Sequence, residues 1–164
     1  MTEDDLKQML DAPVRERGRL FEDFEVGQEI VHHWGRTMTE ADSTLFSVLT
    51  LFFTPTYTNN EYARALGYER SPINPMLVFN TVVGLTVEDL SEAGGPFLGI
   101  DKLQYGVTVY PGDTLYAVST VLYKRAASSG AAGPVTWRTI GTNQRGQTVV
   151  EFERTNLIRK RGDS

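Results

Sequence analysis

Two adjacent residues, His32 and His33, are the only histidines of a chain that has no cysteine. A thiol nucleophile, a Cys-ligated zinc site and a disulfide framework are therefore excluded. A Ser–His–Asp site would have to draw on one of these two neighbours. Neighbours on a strand point to opposite faces, so one reading sets one imidazole inward and the other outward. The other reading is a catalytic His on an irregular path. Two amides are notable for other reasons. Asn74 directly precedes Pro75 at the start of a long apolar run and reads as a helix N-cap, with Pro at N1 where its missing N–H costs nothing. Asn80 lies inside that run, and an amide there needs a partner, either backbone or substrate. Asp101 and Asp113 read as turn or strand-end residues. Lys124, Arg125, Arg159, Lys160 and Arg161 could neutralise phosphates, but basic residues at strand ends are usually just solvated.

The chain that must position these groups has 164 residues, 16 basic and 21 acidic, for a net charge of −5. That length implies one domain burying roughly 70% of its unfolded surface. An acidic balance argues against nucleic-acid partners. No apolar run approaches the ~20 residues that span a bilayer, so no membrane is expected. The N-terminus (MTEDDLKQML) lacks the basic-then-apolar layout of a signal peptide, and the expected location is the cytoplasm.

Residues 1–18 read as a loosely attached lead-in, with a short helix from Asp4 to Leu10 stopped by Pro13. Gln28 to Trp34 has strand composition. Thr39 and Asp42 form a capping-box pattern, followed by an apolar face of Leu45, Phe46, Val48 and Leu49 at helical spacing. Pro55 breaks that helix, and a second short one is expected over Asn60 to Leu66, ended by Gly67. Pro75 to Leu90 is the most apolar segment and predicts a helix buried on most sides. Beyond Gly94-Gly95-Pro96 the pattern alternates: strands are expected over Leu103–Tyr110, Thr114–Arg125, Val135–Gly141 and Thr148–Arg159, joined as a meander. The second of these has two apolar faces and should be central. The layout is α+β, with an antiparallel sheet wrapped around the helix at about residues 75–90.

In this order, Gly35-Arg36-Thr37, Glu61-Tyr62-Ala63, the long apolar helix and Pro111-Gly112-Asp113-Thr114-Leu115 resemble MaoC-like hydratases and dehydratases of the hotdog fold. Residues Gly112 to Ala117, Val121-Leu122, Lys124-Arg125 and the ending Val149-Val150-Glu151-Phe152 with Arg154-Thr155 are similar to the mesaconyl-CoA hydratase-like branch, which acts on branched or dicarboxylic enoyl-CoA thioesters. The resemblance implies a single domain over residues 19–160 with a tail at 161–164. It implies a CoA- or carrier-bound acyl substrate; no cofactor is expected, and the missing Cys and scarce His leave no metal expected. It also implies a homodimer, or a higher or mixed assembly with a second MaoC-like chain, with the site at the subunit interface.

The chemistry is where this chain departs. Hydrating an enoyl thioester needs a base for water, an acid for the α carbon and donors for the developing enolate oxygen. The family supplies the first two from a segment of the form Asp/Asn-x-Asn-Pro-x-His. The matching segment here is Phe52-Phe53-Thr54-Pro55-Thr56-Tyr57, so Phe52, Thr54 and Tyr57 replace the acidic, amide and imidazole positions. Tyr57, with an ordinary pKa near 10, is a poor base but a fair proton or hydrogen-bond donor. On one reading Tyr57 and Thr54 line a repurposed acyl site; on the other they fill space where catalysis was lost. The family's N–H donor position falls at Pro75, which leaves Met76 or Leu77 to donate. Phe52, Phe53, Asn74, Met76, Leu77 and Asn80 are the candidate substrate contacts, with core packing or capping as the alternative for each. Three functions fit: a hydratase or dehydratase with a non-standard site, a hotdog enzyme turned to isomerisation, cyclisation or dehydration, or a silent subunit paired with an intact MaoC-like chain.

Overall fold

The computed structural model describes residues 18–127 and 130–162. The helix expected over Asp4–Leu10 lies outside them. After a short helical turn at Phe21–Asp23 come strands β1 (Glu29–Val31) and β2 (Arg36–Thr37), then helices α1 (Glu40–Leu49), α2 (Asn60–Ala65) and α3 (Pro75–Leu90). Strands β3 (Phe97–Tyr105), β4 (Thr114–Lys124), β5 (Ala132–Thr142) and β6 (Thr148–Arg159) complete the chain. Every strand pairing is antiparallel, in the order β1-β4-β5-β6-β3, with β2 also on β4.

The capping box forms as its residues predict: Asp42 N–H donates to Thr39 Oγ1 at 3.2 Å, and Thr39 N–H donates to Asp42 Oδ2 at 3.0 Å. The apolar face of α1 does not bury as helical spacing implies. Ser43 and Ser47 are its buried residues, while Leu45, Val48 and Leu49 are exposed. The reason is the partner they pack on: Ser43 Oγ accepts the backbone N–H of Asn74, which only a small polar side chain can do at that approach.

Helix α3 begins at Pro75 under the Asn74 cap, as predicted. It is not buried on most sides. Val78, Val82, Thr86 and Leu90 form one buried stripe against the sheet, while Met76, Asn80, Gly84 and Val87 are exposed. The sheet of one chain curls around only one side of a helix. Around that stripe pack Met38, Leu115, Ala117, Val149 and Phe152 at one end, and Phe24, Ile30, Val121, Trp137 and Ile158 at the other. Gly141 permits the close approach of β5 to the helix, since a Cβ there would lie 2.7 Å from the Val82 side chain.

Three strand expectations change. β3 runs over 97–105 rather than 103–110, because pairing with β6 starts at Phe97 just past the Gly94-Gly95-Pro96 turn. β3 and β4 are not meander neighbours. β3 sits at the far edge beside β6, and only β4, β5 and β6 form the meander. The 28–34 strand shortens to Glu29–Val31, although His32 N–H still reaches Ala117 O at 3.1 Å. The two-faced β4 is interior as expected, lying between β1 and β5.

Candidate active site

Pro55 opens a helical turn over Pro55–Tyr57, closed by Tyr57 N–H to Thr54 O at 3.2 Å. That turn delivers Tyr57 to a cavity of about 140 Å³ beside the start of α3. Tyr57, Tyr68 and Tyr105 stand around its mouth, partly or largely solvent-exposed. Its buried aliphatic lining is Ile73, Val78, Val109 and Val149, and Thr108 lines it as well. Burial pushes the Tyr57 phenol above its usual pKa, with the Tyr68 phenol adding to it. Burial does the same for Tyr105, with Tyr57 contributing. Both phenols therefore hold their protons at neutral pH and act as donors. Tyr105 already donates to Met76 Sδ at 3.5 Å, and the Phe52 ring lies 5.7 Å from that of Tyr57.

The other site candidates divide. Thr54 and Phe53 are exposed and do not line the cavity, Thr54 serving instead as the carbonyl that closes the Tyr57 turn. Asn74 is fully buried and caps α3. Asn80 is exposed, and its amide donates to Met76 O at 2.7 Å, so its partner is backbone. Leu77 lines a separate groove of about 480 Å³ between Trp34, Arg36 and the open face of α3. The N–H donors expected at the helix start are both engaged within the helix cap. Met76 N–H bonds Asn74 Oδ1 at 3.0 Å, and Leu77 N–H bonds Asn74 O at 2.9 Å. Tyr68 and Tyr105 escaped sequence reasoning, because three tyrosines from a turn, a loop and a strand end share no spacing along the chain.

Neither histidine reaches the cavity. They alternate as strand neighbours do. His32 is buried, with Nδ1 2.7 Å from Asp89 Oδ2 and Nε2 2.9 Å from Ser119 Oγ; His33 is exposed, 3.7 Å from Glu88. This chain of contacts resembles a triad in its order, but Ser119 is sealed inside the core, where no substrate arrives. Asp113 is a turn anchor that accepts from Tyr110 N–H, Gln144 and Arg145. Among the described residues no cluster of His, Asp or Glu could hold a metal ion, and no helix is long and apolar enough to cross a membrane.

A long helix held in the curl of an antiparallel sheet, with a cavity beside its N-terminus, defines a MaoC-like protein of the hotdog fold. A MaoC domain protein dehydratase from Chloroflexus aurantiacus superposes with a TM-score of 0.84 at 39% identity, over 88% of this chain and 41% of that one. The family model for mesaconyl-CoA hydratase matches residues 2–164, and the chain belongs to that family. The β-methylmalyl-CoA dehydratase of Chloroflexus aurantiacus is 40% identical over 88% of this chain. The mesaconyl-CoA hydratase of Haloarcula hispanica is 38% identical over 92% of it. The chain spans 41% and 42% of the lengths of these two relatives.

Proposed function

We propose that this chain is a subunit of a hydratase or dehydratase acting on an enoyl- or 3-hydroxyacyl-CoA thioester, and that it supplies the acyl-binding wall of a non-standard site. The observation carrying this reading is the convergence of two protonated phenols, Tyr57 and Tyr105, on a cavity at the start of α3. A phenol donates to a thioester oxygen as enolate charge develops, replacing the backbone donors that Asn74 occupies. Among the described residues none lining the cavity is a carboxylate or imidazole, so on this reading the acid and base come from elsewhere. A second copy would bring another Tyr57 in place of the family's His. The complementing unit is therefore a different MaoC-like chain that keeps the acidic and His positions, and relatives more than twice as long support a two-unit enzyme. The edge strand β3, with Phe97, Leu98 and Tyr105 exposed, is the natural seam, which sets the cavity mouth at the junction. The reading places the enzyme in the cytoplasm, where CoA thioesters are made and consumed.

The test is hydration of crotonyl-, mesaconyl- and itaconyl-CoA, followed by loss of enoyl absorbance. It is run on the chain alone and co-expressed with a MaoC-like chain that retains the Asp/Asn-x-Asn-Pro-x-His segment. Turnover by the complex, weakened by Tyr57→Phe, supports the reading. Turnover by the chain alone moves the acid and base into this subunit, and no turnover in either form removes the hydratase assignment.

A further inference from the structure

Beside the cavity stands a sulfur atom that the reading above leaves unused. The chain has no cysteine. Met38 is sealed in the core at 1% exposure, whereas Met76 is 41% exposed. Among the described residues Met76 therefore carries the only sulfur on an exposed side chain. Its backbone is fixed on both sides: the N–H bonds Asn74 Oδ1 at 3.0 Å, and the carbonyl accepts the Asn80 amide at 2.7 Å. Its thioether accepts the Tyr105 hydroxyl at 3.5 Å. Tyr105 lines the cavity, so this contact ties the sulfur to a phenol of the site. Resting on the thioester reading above, in which Tyr105 is a donor to the acyl oxygen, we propose that Met76 is an oxidation site whose sulfoxide silences the pocket by capturing the Tyr105 proton.

The oxidant is hydrogen peroxide, a two-electron oxygen donor. A lone pair on Sδ attacks one peroxide oxygen, and the S–O bond forms as the O–O bond breaks. The departing hydroxide takes the proton left on the transferred oxygen and leaves as water. Sulfur is oxidised by two electrons and the peroxide is reduced by two. The product changes the contact with Tyr105 in kind. A thioether is a weak acceptor, so the phenol can exchange it for a ligand oxygen. A sulfoxide is polar, and its oxygen accepts an O–H at the ~2.7 Å of an ordinary O–H···O bond. With that bond made, the Tyr105 proton no longer reaches a thioester oxygen. Because the Met76 backbone is held, the change stays in the side chain, and a methionine sulfoxide reductase reverses it. Closure of the cavity mouth by a second chain does not shield the sulfur. A hydratase site admits water as its substrate, and hydrogen peroxide passes where water passes.

The assembled protein, with this chain carrying carbon-13 at tyrosine Cζ, is titrated with hydrogen peroxide. Peptide mass mapping follows oxygen uptake at Met76 and Met38 separately. Met76 is expected to oxidise at least tenfold faster than Met38. The Tyr105 Cζ resonance, assigned with Tyr105→Phe, should shift as it does so. Mesaconyl-CoA hydration should fall tenfold or more and return after treatment with methionine sulfoxide reductase. Met76→Leu should keep its own untreated rate through the same exposure. Tyr105→Phe, slower from the start, should lose nothing further when its Met76 is oxidised, since the proton at stake is already gone. Oxidation of Met76 no faster than that of Met38 overturns the proposal. So does an unmoved Tyr105 resonance at full Met76 oxidation, or an equal loss of rate in Tyr105→Phe, which would make the sulfoxide a steric block. No hydration before peroxide is added removes the thioester reading instead, and the mass map and the resonance still decide whether the sulfoxide takes the Tyr105 proton.

Discussion

The backbone N–H of Met76 is bonded at 3.0 Å to Oδ1 of Asn74, the residue that caps its own helix. The first turn of α3 is therefore saturated from within, and the end of the helix presents no free donor from Met76 or Leu77 to a ligand. The same side chain stabilises the helix. Asn74→Ala should cost about 1–2 kcal/mol, because it deletes a cap in a fully buried setting. Urea denaturation measures this, and a loss below a few tenths of a kcal/mol would show that the cap is dispensable.

With those N–H groups engaged, the proposed function assigns oxyanion stabilisation to phenols. Tyr57→Phe in the assembled enzyme should lower kcat on the order of 10²-fold, the effect of losing one oxyanion donor, with little change in KM. Thermal stability should stay near wild type, since the hydroxyl is only half-buried and makes no hydrogen bond among the described residues. A change confined to KM would place the hydroxyl in ground-state binding instead.

Acidification should loosen the other end of α3. Burial holds the His32 imidazole below its usual pKa. The Asp89 bond opposes that, while the charges of Arg154 and Arg19 reinforce it. Because the folded pKa is lower than the unfolded one, the unfolded chain takes up the proton first. Stability is full above pH about 6.5 and declines as the pH drops below it. His32→Gln should flatten the dependence of denaturation free energy on pH in this window. An unchanged slope would assign the acid sensitivity to other groups.

Arg154 is buried without a carboxylate partner among the described residues. Its Nη1 donates to Thr86 Oγ1 at 3.1 Å, its guanidinium lies 5.5 Å from the Trp137 ring, and burial lowers its pKa to about 10. Its Nη2 also donates to Ser91 Oγ at 3.4 Å, but replacing a buried cation that has no carboxylate partner by an apolar side chain of similar length removes a desolvation cost. Arg154→Met should therefore be neutral or raise stability by about 1 kcal/mol or more. A loss larger than 1 kcal/mol would mean that the Thr86 and Trp137 contacts outweigh that cost.

Local physics made much of this protein legible in one dimension. The Thr39–Asp42 box, the Asn74-Pro75 helix start and the alternation of β4 to β6 depend on residues within a few positions of each other, so spacing alone determined them. The inward–outward division of His32 and His33 followed from the two-residue period of a strand.

Tertiary structure decided what depends on distant neighbours. The apolar side of α1 faces out because Ser43 meets Asn74, a contact across 31 positions. β3 pairs with β6 rather than β4 because sheet order is set by which edges the whole chain leaves open. The cavity itself joins Tyr57, Tyr68 and Tyr105 from three separated segments over a valine floor, so neither its charge nor its size exists until the chain has closed around α3.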